Sequence, residues 1–256
     1  MSGTRSAASR PPATEVGWGE LGLVLAVHGI RGGPGFARRH QQTLAERGLF
    51  RSVEVGCHKG APDLVEIVQG TLARGPVVIV PLLMAAGYTL RAIRLRLDAG
   101  LAPQPRPPIT RPLGTHPRFA ELILNEALLG CARRGWEPAR SGMLLVGHGT
   151  GRDPTSGGTA RRHAATVMHA GRFAEVGIAF LDEPPTVPEA LARLESPHVV
   201  VVGLFLDRGE HGEADIAGLL AGSGARAYYT GPLGVDPLVP DLVLDQLRRL
   251  DGIVAA

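Results

Sequence analysis

A chain of 256 residues with 44% hydrophobic and 20% charged residues is soluble and globular in composition, with room for two domains of about 100–130 residues that each bury a core. Aromatics make up only 4% while Gly 35 and Pro 21 are high, so the core must be aliphatic and the loops short and tight. The formal charge is +3, with Arg far ahead of Lys; this excludes no anion, and it suits a polycarboxylate or phosphate ligand because the guanidinium fork grips carboxylates in pairs, although composition alone favours the plainer reading of an Arg-rich solvent face.

In chain order, Met1–Glu15 is rich in Arg, Ser, Pro and Ala and lacks the apolar centre of a secretory signal. Residues 1–16 are read as a flexible tail. The first half, 17–135, predicts strands at Leu21–Val27, Ser52–Gly56, Val77–Leu83 and Ile109–Leu113, with helices at Phe36–Glu46 and Pro117–Leu129. Its most apolar run, Val77–Ala86, falls short of the roughly 20 residues a bilayer span needs and reads as a buried strand. A polar join follows near Arg133–Ser141. The second half, 140–256, predicts strands at Met143–Val146, Val176–Phe180, Val199–Phe205 and Ala225–Thr230, with helices at Gly158–His169 and Pro237–Leu250. Apolar β-branched runs alternating with amphipathic stretches imply an α/β fold of mainly four-stranded parallel sheets with helices on both faces. Cys57 and Cys131 form no CxxC pair and no disulfide framework, which makes the cytoplasm the default compartment.

The two halves repeat one another. Val27-His28-Gly29 answers Gly147-His148-Gly149, Pro62 to Glu66 answers Pro185 to Glu189, Val77–Leu83 answers Val199–Phe205, and Pro112-Leu113-Gly114 answers Pro232-Leu233-Gly234. The offset stays between 120 (His28 to His148) and 123 (Pro62 to Pro185). Landmarks in one order at one spacing are the signature of a duplication.

Open parallel sheets bind ligands at the carboxyl ends of their strands. In the second half three chemically able residues fall there: His148 after the first strand, Asp182 after the second and His211 after the third. Two imidazoles and a carboxylate suit a transient divalent metal or an acid/base cluster near neutral pH equally well. A lone strand-end His is more often a capping or loop residue; three residues at corresponding strand ends shift the balance toward function. The first half keeps His28 but has Lys59 in place of Asp182 and Thr89 in place of His211, so the same cluster is not expected there. His58 is read as pointing away, by strand alternation.

An apolar strand ending in His148-Gly149-Thr150-Gly151-Arg152-Asp153-Pro154, then Phe180-Leu181-Asp182 before a helix start at Pro185–Leu191, then Gly209-Glu210-His211, resembles the class II chelatases that metallate sirohydrochlorin. The likeness covers about Leu21 to Leu250. It implies two tandem α/β domains facing across a cleft that holds a tetrapyrrole. It implies a lyase with divalent cobalt, iron or nickel as substrate, no organic cofactor, and a monomer or homodimer without nucleic-acid or membrane partners. Carried over by residue, His148, His211 and Asp182 are metal ligands and catalytic groups, the histidines also accepting the pyrrole protons. His28 and Gly149 would line the substrate site, with Arg91 and Arg94 (beside Arg96) clamping its carboxylates, against the alternative of a solvated basic face. Two departures stand out: the family usually has Glu at the position of Asp182, so that Glu183 is the rival acid, and its two-domain members tend to keep the intact set in the first half.

Other readings fare less well. Gly29 to Gly35 is Gly-rich but lacks G-x-G-x-x-G spacing and any Gly-Lys-Ser/Thr, and no G-x-S-x-G serine elbow occurs. A non-catalytic tetrapyrrole or metal carrier would use the same ligands as a chelatase, and turnover separates the two.

Overall fold

The computed structural model describes residues 16–29, 32–150, 154–209, 215–250 and 253–254. Of the expected tail, only position 16 falls among them. It belongs to β1 (Val16–Gly17), which pairs in parallel with β9 (Ile253–Val254).

The first half runs β2 (Gly22–Val27), α1 (Ala37–Glu46), β3 (Ser52–Cys57), α2 (Leu64–Leu72), β4 (Val77–Pro81), α3 (Tyr88–Leu101) and α4 (Phe119–Arg134). The second runs β5 (Gly142–Gly147), α5 (Pro154–His169), β6 (Glu175–Phe180), α6 (Val187–Arg193), β7 (Val199–Gly203), α7 (Asp215–Leu220), β8 (Ala227–Pro232) and α8 (Val239–Arg248). Strand order is β3-β2-β4 in one sheet and β6-β5-β7-β8 in the other, every pair parallel. The central strands β2 and β5 are buried at every position, as parallel strands covered on both faces must be. The duplication survives in the registers: Gly22 faces Ser52 and Val77, and Gly142 faces Glu175 and Val199.

The halves differ at the fourth strand. Ile109–Leu113, predicted as a strand, contributes only a single bridge, Ile109 to Ile79, so the first sheet has three strands rather than four. Prolines at 107, 108 and 112 remove the N–H donors a longer ladder needs.

Three apolar clusters set the layering. Alternate residues of β2 and β4 pack outward with α2 and α3, and those of β5 and β7 pack outward with α6 and α7. The remaining faces of both sheets meet α1, α4, α5 and α8 in one shared core. The closing helix of the first half is exchanged: α4 lies on β7 and β8 of the second sheet beside α5, while α8 lies along α1. A Cβ on Gly130 of α4 would come within 2.7 Å of Val200 and Thr230 methyl carbons, so glycine there permits the close approach of helix to sheet.

Candidate metal and substrate site

Both central strands end in the same device. Past β5, His148 turns into Gly149 at φ 70°, and past β2, His28 turns into Gly29 at φ 99°. The next strand's loop then laces across, Leu181 and Asp182 N–H donating to the His148 carbonyl at 3.0 and 2.9 Å, and Lys59 N–H donating to the His28 carbonyl at 2.8 Å. A Cβ at 149 would lie 2.7 Å from the Glu183 Cγ, and one at 29 would lie 1.8 Å from the Lys59 carbonyl oxygen. Positive φ and close backbone together require glycine.

These turns present His148 and Asp182 side by side. The His148 Nδ1 stands 3.0 Å from the Gly149 carbonyl and 3.3 Å from Asp182 Oδ2, with the two side chains 43% and 58% exposed. Two acceptors on Nδ1 favour the tautomer with its proton there, which places the lone pair on Nε2, the arrangement a carboxylate-oriented metal-binding imidazole adopts. Glu183 is occupied differently. Its Oε2 accepts from Thr150 N–H at 3.0 Å, its Oε1 meets Arg161 at 3.2 Å, and only 15% of the side chain is exposed. Glu183 therefore anchors the loop, and Asp182 is the acid beside the imidazole.

The first half brings a different set to the same rim. His28 has its pKa lowered, first by desolvation and then by Lys59 and His148, so the His148 ring comes near enough to oppose the protonation of His28. His58 does not point away. Its ring lies 6.1 Å from that of His28, and its pKa is also lowered, by burial first and then by His28, Arg96 and Lys59, against Asp63. Strand β3 ends at Cys57, whose N–H turns to the Pro62 carbonyl, so alternation no longer governs residue 58. That early end at a Gly-Cys pair before Pro62 was the available signal. Lys59, the only lysine in the chain, is exposed one residue on, at the position that Asp182 takes in the second half.

The other expected residues are scattered. Arg91 is exposed in the first turn of α3 and Arg94 is half-buried, its Nε shielded from solvent without a hydrogen-bond acceptor. Arg96 is committed to the fold, donating to the His58 carbonyl and the Asp63 carboxylate. Thr89 begins α3. His211 lies outside the described residues. Among the described residues no three His, Cys, Asp or Glu side chains group closely enough to hold a metal ion, and no helix is long and apolar enough to cross a membrane.

Comparison with known proteins gives a consistent picture. Residues 22–128 and 142–250 each match the sequence model of the CbiX family. A probable sirohydrochlorin cobaltochelatase of Halobacterium salinarum is 29% identical over 263 residues, covering 88% of this chain and 89% of its own. The sirohydrochlorin cobaltochelatase of Methanopyrus kandleri is 29% identical over 139 residues, which is 43% of this chain but 96% of that one, as expected if one copy of the repeat is a whole protein there. Among solved structures, a CbiX described as the terminal enzyme of siroheme biosynthesis in denitrifying bacteria superposes with a TM-score of 0.70 at 28% identity, covering 90% of this chain and 99% of its own.

Proposed function

The chain belongs to the CbiX family, and from that membership we propose that it is a chelatase, a lyase-class enzyme inserting divalent cobalt, iron or nickel into sirohydrochlorin or a related tetrapyrrole. The observation that carries this reading is the His148–Asp182 pair at the carboxyl edge of one sheet, with His28 of the duplicated sheet beside it.

Insertion breaks two pyrrole N–H bonds, forms metal–nitrogen bonds and releases two protons. The incoming ion acts as Lewis acid, and a positioned base is needed because a pyrrole N–H is a very weak acid. In our reading His148, held by Asp182, takes the metal and then a proton; His211 supplies the second imidazole by its place in the family motif. The neutral His28, with Gly149, lines the macrocycle site. Lys59, Arg91 and Arg94 face the peripheral carboxylates, for which charge-assisted bonds are strong and Arg is well shaped. Imidazole and carboxylate accept cobalt, nickel and iron alike, so the ion is chosen by assay.

The test is the visible-absorption change of sirohydrochlorin with Co²⁺, Ni²⁺ and Fe²⁺ in turn. Catalysed insertion is expected with at least one ion, and His148→Ala should slow it on the order of a hundredfold or more, with an unchanged circular dichroism spectrum because the side chain is exposed. Stoichiometric binding of tetrapyrrole without acceleration would make the protein a carrier instead.

A further inference from the structure

The first helix of the first half is moored to the second half along its whole length. Near its C-terminal end Arg47 pairs with Asp241 at 2.5 Å. One turn from its start, the His40 Nε2 meets the Gly234 carbonyl at 2.7 Å. At the start itself the N-cap residue Phe36 has no side chain able to cap the helix, and its N–H donates to Asp207 Oδ2 from the other half. The second Asp207 oxygen accepts from Arg208 N–H at 2.7 Å, so the carboxylate is held at both ends.

Two of these moorings have different kinship. The His40 contact is mirrored, His163 of α5 meeting the Gly114 carbonyl at 2.7 Å. The Asp207 contact has no mirror: at the offset of 122 that relates Leu82 to Leu204, the first half has Ala85, which carries no carboxylate. The unmatched contact sits at the carboxyl edge of the sheets. Leu204 N–H still bonds to β5 at the Val146 carbonyl, three residues before Asp207, and α1 is the helix entered from the His28-Gly29 turn.

We propose that Asp207 is a positioning residue, which caps α1 from the opposite half and thereby fixes how far His28 stands from His148 and Asp182. This rests on the chelatase reading for its catalytic consequence, but the mooring itself is independent of it. A carboxylate at a helix N-terminus satisfies an orphan donor and complements the helix dipole, and cutting it frees the one end of α1 that faces the reacting groups. Because His28 lines the macrocycle site, its shift displaces the bound ring against His148 and Asp182, and misplacement of the ring from those groups by up to about an ångström is expressed in turnover more than in binding.

Two measurements test it. In the insertion assay Asp207→Ala should lower kcat on the order of tenfold with little change in KM, whereas Asp207→Asn, whose amide oxygen still accepts from Phe36 N–H, should retain most activity. Arg47→Ala, which cuts a mooring at the far end of the same helix, should leave kcat unchanged. Independently of activity, spin labels at Glu66→Cys on α2 and Ala192→Cys on α6 report the separation of the halves; the native Cys57 and Cys131 are buried and stay unlabelled. Asp207→Ala should broaden that distance distribution and Asp207→Asn should not. An unchanged distribution in Asp207→Ala overturns the proposal, as does an Asn variant as impaired as the Ala variant. A wild-type protein that inserts no metal refutes the chelatase reading alone, and the spin-label result still decides the mooring.

Discussion

At the scale of single residues, adjacent acids have been given different work by the direction of their side chains. Asp182 is exposed beside His148, and Glu183 is tucked under the Gly149–Thr150 turn against Arg161. Asp182→Asn removes charge while keeping shape, so it should slow metal insertion ten- to a hundredfold, about the effect of losing an orienting carboxylate, and leave the urea midpoint in place. Glu183→Gln should show the reverse, a loss of about 1 kcal/mol in urea denaturation from the weakened hydrogen bond and a smaller change in turnover. An insertion rate sensitive only to Glu183→Gln would reassign the acid. The corresponding residue in the first half is Lys59, and that single exchange puts a positive charge at the rim position where the second half carries a negative one.

At the scale of elements, the loop that carries His58 and Lys59 is secured through α2 and α3. Asp63 caps α2, its Oδ1 accepting from Val65 N–H at 2.8 Å and Glu66 N–H at 3.3 Å, and its other oxygen pairs with Arg96 of α3, which also holds the His58 carbonyl. Burial acts to raise the Asp63 pKa, yet the two backbone hydrogen bonds and Arg96 outweigh it and the net shift is downward. Asp63→Ala should therefore cost about 1–2 kcal/mol in urea denaturation at pH 7, mostly as a lost cap. Asp63→Asn keeps the cap and loses the ion pair, which at 38% and 25% side-chain exposure is worth no more than about 1 kcal/mol. Equal losses in the two variants would place the energy in the ion pair instead.

At the scale of the whole molecule, the two sheets share one inner layer of helices, and the buried His40 and His163 are among its polar fastenings. His40 is 2% exposed and His163 is 6% exposed, each hydrogen-bonded to a carbonyl of the opposite half. Both have lowered pKa values, with burial the largest cause; backbone hydrogen bonds oppose it, and Asp207 and Asp236 also oppose it at His40, while Arg39 and Arg162 reinforce it. A histidine whose folded pKa lies below its unfolded value, about 6.5, binds fewer protons when folded. Its stabilising contribution is complete above about pH 6.5 and is lost as the pH falls through the depressed folded values. The urea midpoint should accordingly decline between pH 7.5 and 5, and His40→Gln with His163→Gln should flatten that decline, since Gln offers a donor that does not titrate. A pH dependence as steep in the double variant as in the wild type would assign the acid sensitivity to other groups.

Much of this architecture is legible in the chain itself. The aliphatic runs from Val77 and from Val199 can only be strands buried on both faces, and the paired His-Gly turns, repeated at an offset of 120, mark both the duplication and the rim where chemistry can sit. Those features are local, set by side-chain type and spacing along one segment. That Asp182 and not Glu183 lies beside His148, and that His58 turns toward His28, depended on side-chain direction past the end of a strand, where alternation stops applying. The seating of α4 on the other half's sheet and the bonds from Phe36 to Asp207 and from His40 to Gly234 join residues 171 and 194 positions apart. No periodicity encodes such partners; they are decided only when the two halves pack, because a buried carbonyl or an uncapped helix end takes whichever group the opposite surface brings to it.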